Sequence, residues 1–346
     1  MTKPIDVISI GMVTAVGLDA PSACAAMRAR LDGFQETRFI DSLGNKLIGA
    51  PVPMPRNWIG EKRMAHLAAA AISEAFEAVP GARGQTTLIL CLAEEDRQGP
   101  SVPDASRLLQ RIADIVESPP YGRSRAVAHG RPSGHIALEQ ARRILADGEA
   151  SYVMIVGVDS YLTVAAIAHY LSLNRLLTSD NSNGFIPGEA AAAVLCARSH
   201  TSGLRLFGLG LNREQAFFDN ADDLPFRGDA MTAAYRAALN ETGIEMKELG
   251  YRISDLIGEQ YWFKQSALAS LRLVRDNHGF QDIWSPAESL GNVGAAVVPV
   301  MIGMAFTAAR KGYAAGNPIL IEASNDTGAC GAAVFASLDV PREQPR

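Results

Sequence analysis

Residues Val293 to Phe306 read VGAAVVPVMIGMAF, a run without a single charged side chain and with apolar groups on every face of the helix it predicts. A helix apolar all round is surrounded by other protein or by lipid. This one falls short of the ~20 residues that span a bilayer and contains Pro299. It is therefore read as a soluble helix enclosed between sheets, which calls for a layered α/β architecture in place of helices laid on one outer face.

Composition supports a large core. The chain has 346 residues, 48% of them hydrophobic, with 31 glycines and 20% charged residues, enough to bury a core without disulfides or metals. Charge is slightly acidic, 37 Asp+Glu against 32 Lys+Arg, and spread along the chain. No basic cluster marks a polyanion site, so nucleic acid is not expected as a partner. The cysteines, Cys24, Cys91, Cys196 and Cys330, are far apart and form no Cys/His cluster. Neither a metal site nor a disulfide framework is indicated, and no cofactor motif is present. The opening MTKPIDVISIGMVTAVG lacks the basic start and unbroken apolar run of a signal peptide. A cytoplasmic protein without a membrane segment is the expectation.

Outward from the buried helix, strand and helix signals alternate. Strands are predicted over Asp6 to Ile10, Thr86 to Leu92, Tyr152 to Val158 and Glu189 to Ala197; helices over Ala20 to Leu31, His66 to Val79, Ser106 to Val116 and Gly134 to Ala146. The apolar pattern breaks around Ser199 to Gly203 and begins again. Strand Leu204 to Leu211, helix Met231 to Thr242, strand Asp255 to Glu259, helix Lys264 to Asp276, the buried helix, and strands Pro318 to Ala323 and Ala332 to Leu338 follow. Two halves, 1–200 and 201–346, with the same element order are predicted.

Four segments resemble the thiolase superfamily, and the β-ketoacyl synthases in particular. They are Ile8-Ser-Ile-Gly-Met-Val-Thr-Ala-Val-Gly17; Arg175 to Ala190, with Gly184, Phe185, Gly188 and Glu189; Glu139 to Asp159; and Ser289 to Ala296 together with Asn325 to Ala333. The resemblance implies a five-layer αβαβα fold of two pseudo-repeated halves. It also implies a dimer, with the strand at Tyr152 to Val158 pairing across the two-fold axis, and a structural role for the Gly184, Phe185, Gly188 and Glu189 loop beneath the site.

The family's condensation chemistry needs a cysteine thiolate at a helix amino end, where the dipole lowers its pKa. Counting back from Gly148 places that position at about Arg131, within Ala128 to His135, and no cysteine lies there. Arginine stays protonated near neutral pH and cannot attack a thioester. The resemblance also implies two histidines, or a histidine and an asparagine, as oxyanion donors on second-half loops. The first loop offers Glu259 and Gln260, and a carboxylate there repels developing negative charge. The second retains Asn292, which serves equally well to bond its own loop. His129, His135 and Ser133 bracket the old nucleophile place; backbone-bonded histidines and a serine helix cap are the plainer readings. Cys91, Cys196 and Cys330 read as core thiols.

No catalytic residue is assigned, and Arg131, Glu259 and Asn292 are read as degenerate active-site positions. The expected function is a non-catalytic binding or adaptor component and homodimer. Its expected partner is either an active ketosynthase, as for chain-length-factor relatives, or an effector or secretion component. The compact length favours the adaptor, and the chain also resembles thiolase-like proteins associated with type VI secretion, thought to load effectors onto the secreted spike. The opposing reading is a thioester acyltransferase or hydrolase with a rebuilt site using His129, His135, Glu259 or Asn292.

Overall fold

The computed structural model describes residues 4–117, 124–198, 200, 202–218, 224–274 and 281–338. In chain order the first half comprises β1 (Ile5–Val13), α1 (Ala20–Arg28), a hairpin β2 (Gln35–Ile40) and β3 (Lys46–Gly49), α2 (Gly60–Ala78), β4 (Thr86–Leu92), α3 (Ala105–Val116), β5 (Arg125–Ala128), α4 (Ser133–Asp147), β6 (Tyr152–Ser160), α5 (Val164–Ser172) and β7 (Glu189–Arg198). The second comprises β8 (Leu204–Arg213), α6 (Asp229–Thr242), β9 (Tyr251–Ser254), α7 (Gln260–Leu273), β10 (Asp282–Trp284), α8 (Ala287–Leu290), α9 (Val297–Lys311), β11 (Ile319–Ser324) and β12 (Ala329–Ser337).

Both halves share one topology. The first sheet runs β5-β4-β6-β7-β1 and the second β10-β9-β11-β12-β8, so each places its third, second, fourth, fifth and first strand side by side when the hairpin is left out. Strand β1 joins them: Ile5, Asp6 and Val7 pair antiparallel with Arg198, Ala197 and Cys196 on one side and with Leu206, Arg205 and Leu204 on the other. Helices α2 and α3 cover one sheet and α6 covers the other, with α7 against it, while α4 and α9 lie between the sheets. This is the five-layer arrangement.

The sequence explains the central layer. Helix α9 is buried along nearly its whole length. Pro299 falls in its first turn, where a missing N–H interrupts nothing, and Gly312 closes it in the left-handed region behind Arg310 and Lys311. Close approach to β6 depends on Gly157, since a Cβ there would lie 2.4 Å from the Ala295 carbonyl oxygen. Among the described residues no helix is long and apolar enough to cross a membrane.

Three expectations are corrected. The strand predicted at Asp255 to Glu259 is β9, Tyr251–Ser254, paired in parallel with β10 and β11. The buried Arg252 disguised it, and Asp255 opens the following loop. The next helix begins at Gln260, not Lys264, and its expected end at Asp276 lies outside the described residues, as do Ser199 and Thr201 in the break between halves. Finally, the Tyr152 to Val158 strand cannot pair across a two-fold axis, because β6 bonds β4 on one edge and β7 on the other. Its central place also accounts for its unbroken apolar character.

Substituting Gly157 by Ala is expected to destabilise the fold by about 1–3 kcal/mol through overpacking against backbone. A lower urea midpoint at unchanged m-value checks this; an unchanged midpoint contradicts the close approach.

Candidate functional site

The turn between β5 and α4 sets the site. Gly130 is left-handed (φ 61°), and a Cβ there would collide with the Glu94 carboxylate at 1.9 Å. Ser133 does not cap α4. Its Oγ accepts from the His129 N–H (2.9 Å) and donates to the Leu92 carbonyl (3.3 Å), clipping the turn to β4. Arg131 then enters the interior at the mouth of α4, 2% exposed. Its Nη1 donates to Asp255 Oδ2 (2.9 Å), its guanidinium lies 3.9 Å over the Trp262 ring, and Nη2 stands 3.7 Å from Asp326 Oδ1.

Two further arginines complete the cluster. Arg175 donates through Nε and Nη2 to Glu259 (2.7 and 2.8 Å) and through Nη1 and Nη2 to Asp326 (2.6 and 3.2 Å), with its guanidinium 3.9 Å over Phe218. Glu259 also accepts from Trp262 Nε1 (2.9 Å). Arg97 forms a two-point pair with Asp159 and lies 4.3 Å over Tyr161. Asp159 accepts in addition from the Ala295 N–H (3.0 Å), tying the cluster to the start of the α9 layer.

Electrostatics follow from burial. Desolvation opposes the Arg131 charge, but Asp255, Asp326 and Glu259 hold its pKa above the ordinary value. Burial raises the Asp255 pKa, partly offset by Arg131. Burial also acts against ionised Asp326, yet Arg175, Arg131 and Arg97 pull its pKa below the carboxylate range. Glu94 Oε2 stands 4.0 Å from Arg97 and has no hydrogen-bond partner among the described residues; burial pushes its pKa to about 7.

Of the positions expected from sequence, Arg131 and Glu259 meet here through Trp262. Glu259 is neutralised by Arg175, so the repulsion expected of a lone carboxylate is cancelled. Asn292 Oδ1 accepts from the Gly294 N–H (3.1 Å) in its own loop. The loop Gly184, Phe185, Gly188 and Glu189 packs behind: Phe185 is buried edge-on against Tyr161 and Tyr170. Glu189 is bound by Arg63, the Val52 N–H and Ser160 Oγ. Close backbone contacts at Gly184 with Leu176 and at Gly188 with Leu290 leave no room for a Cβ.

None of the cysteines lies at the amino end of α4, and burial pushes the thiols of Cys24 to about 11 and of Cys196 and Cys330 to about 12, leaving little thiolate. His135 Nε2 contacts the Ile321 carbonyl (3.1 Å), and burial lowers its pKa to about 4. No group of residues able to hold a metal occurs among the described residues.

Sequence reasoning missed Asp255, Asp326, Arg97, Glu94 and Asp159, and read Arg175 only as part of a loop. The usable signal was position: Asp255 follows β9 directly, where a family histidine was sought four residues later.

Removing one partner of a buried pair strands the other charge, so Arg131→Ala and Asp255→Ala are each expected to lose about 3–5 kcal/mol of unfolding free energy, with an Arg131→Met/Asp255→Leu double variant recovering most of it. Denaturant titration checks both. Glu94 supplies a pH test. The folded chain keeps its proton to about pH 7 and an unfolded glutamate releases it near 4.5. The folded state therefore binds more protons across that window and loses stability as pH rises through it. Glu94→Gln is expected to flatten the stability profile between those values relative to the parent chain.

Comparison with known proteins bears on the fold. Residues 121–201 match the beta-ketoacyl synthase N-terminal domain family. No curated protein sequence is similar enough to match the chain. Among solved structures, a type II PKS complex, AntDE:AntF, of an acyl-carrier protein and its ketosynthase bound to the hexaketide aligns at TM-score 0.80 and 15% identity over 98% of this chain and 100% of that one. The ketosynthase ApeO in complex with its chain length factor ApeC from Xenorhabdus doucetiae aligns at 0.77 and 14%, over 97% and 98%. A beta-ketoacyl synthase from Burkholderia phymatum STM815 aligns at 0.76 and 14%, over 97% and 99%. The five layers, the twin sheet topology and these full-length alignments identify the fold of this chain as the thiolase-like fold of the ketosynthases.

Proposed function

We propose that this chain is a thiolase-fold member of the β-ketoacyl synthase family that has lost condensation chemistry and acts as a protein-binding component. The single observation that carries this is the ion pair of Arg131 with Asp255, stacked on Trp262, at the mouth of α4 where the family's chemistry requires a thiolate. The guanidinium that stands there stays protonated and is no nucleophile, and its Asp255 partner is held in an ion pair. In this reading Glu259 and Asn292 are the other degenerate positions, and the halves 1–200 and 201–346 are retained as scaffold.

Partnership with an active ketosynthase is supported by the likeness to chains from ketosynthase and chain-length-factor complexes. An effector-loading adaptor of type VI secretion is the competing form of the same idea, and a homodimer accompanies either. Incubation with acyl-CoA and with acylated carrier protein, followed by intact mass and product analysis, is expected to give no covalent adduct and no turnover. An acyl adduct, or hydrolysis abolished by His129→Ala, overturns the proposal. Light scattering at micromolar concentration is expected to give a dimer mass; a monomer mass contradicts the homodimer.

A further inference from the structure

Helices α3 and α7 hold the same place in the repeat, each following the second strand of its half, β4 or β9, and preceding the third. They are seated by opposite means. Helix α3 turns Leu108, Ile112 and Val116 into a cluster that holds Leu90 and Leu92 of β4 and Met154, Val156 and Val158 of β6. The buried residues of α7 are Trp262, Gln265, Ser266 and Ala269, while Phe263 and Leu271 are 47% and 72% exposed. A helix that buries polar side chains and turns large apolar ones outward reverses the usual amphipathic pattern, and the hydrophobic effect alone does not hold it down.

A buried polar seam does. Arg252 and Ser254 of β9 share one sheet face with Glu322 and Ser324 of β11, and the register pairs Ser254 with Glu322. Glu322 Oε1 accepts from Ser254 Oγ and from Ser266 Oγ (2.6 Å). Arg252 Nη1 donates to Ser266 Oγ (3.2 Å) and to Tyr235 Oη of α6 (3.1 Å). Ser324 Oγ donates to Gln265 Oε1 (2.5 Å), and Gln265 Nε2 donates to Cys330 Sγ of β12 (3.7 Å). Glu322 is thus faced by Arg252 and Ser254 from β9, Cys330 from β12, Tyr235 from α6 and Gln265 and Ser266 from α7. Arg252 Nη1 stands 3.8 Å from Glu322 Oε1, and Arg252 Nε and Glu322 Oε2 are buried with no hydrogen-bond partner among the described residues. An ionised Glu322 would therefore leave a desolvated oxygen with the guanidinium beyond hydrogen-bond reach, a cost that the neutral acid avoids. Burial accordingly pushes the Glu322 pKa up to about 8 and the Arg252 pKa down to about 10.

We propose that Glu322 is a proton-operated catch on α7: as the neutral acid it keeps the helix seated on the second sheet, and loss of its proton lets the helix lift. Trp262 lies one turn before Ser266 on the same helix face, so lifting draws it off the Arg131 guanidinium. The catch stands on the seam and is independent of whether condensation has been lost. The seated helix holds the proton to about pH 8, whereas a carboxyl exposed by lifting releases it near 4.5. Seating is therefore strongest at acid pH and weakens as pH rises to 8, by up to about tenfold per pH unit.

Hydrogen exchange of the full chain, followed by mass spectrometry from pH 6 to 9 and corrected for the intrinsic pH dependence of amide exchange, reads the α7 and α3 peptides side by side. Protection of α7 is expected to fall by up to about tenfold per unit to pH 8 and to level off above it, while α3 stays constant. Glu322→Gln, which cannot ionise, is expected to hold α7 protection constant, and Glu94→Gln to leave the fall in place. Ser254→Ala removes one donor to the carboxylate from the sheet side; it is expected to move the fall to higher pH, and it serves where the glutamine variant does not fold. Protection of α7 independent of pH in the parent chain, the same fall in Glu322→Gln, a fall abolished by Glu94→Gln, or an unmoved fall in Ser254→Ala overturns the proposal.

Discussion

Everything at the centre of this molecule depends on keeping guanidinium groups charged in a place that water does not reach. Transfer of an ion from water to a protein interior is costly, and attraction to a partner repays that cost only when geometry is good and further hydrogen bonds are made. Arg131, Arg175 and Arg97 each have a carboxylate partner and an aromatic face, and Arg131 Nη2 and Arg97 Nε are left without a hydrogen-bond partner among the described residues. Asp326, with its side chain 35% exposed on the turn between β11 and β12, supplies a further negative charge near all three. Such a network adds little net stability compared with apolar packing, but it commits the site to one arrangement, since each member is costly to strand.

Most polar groups of the cluster are aimed at each other, while Glu94 Oε2, Arg97 Nε, Arg131 Nη2 and Asp255 Oδ1 are buried without a hydrogen-bond partner among the described residues. The loop containing Glu189, which lies behind the site, is saturated by Arg63, Val52 and Ser160. Around the site lies a large body of twin sheets with helices enclosed between them.

Much of that body was legible in the sequence. The run from Val293 to Phe306 declares a helix enclosed on all sides, and the alternation of strand and helix signals on either side of residue 200 declares two similar sheets. The arginine cluster was not legible, for a physical reason. Arg131 meets Asp255 across 124 residues, and Arg175 meets Asp326 across 151; no local periodicity records such pairings. Arg131 could be located only by counting along a helix, and Asp255 was hidden because a four-residue strand with a buried arginine in it does not look like a strand. Strand β6 was misplaced for a related reason: an unbroken apolar run reports burial on both faces but not which neighbour lies at each edge.

Strand β1 has a consequence for how the chain is made. Its ladder partners among the described residues are β7 and β8, the first spanning residues 189–198 and the second beginning at Leu204. Synthesis from the amino end therefore produces a strand whose hydrogen-bonding edges stay vacant until more than half of the polypeptide has followed it. Contacts so distant in sequence form late and slowly. During that interval the nascent chain carries an apolar ribbon open to the wrong neighbours, the kind of exposure that chaperones cover.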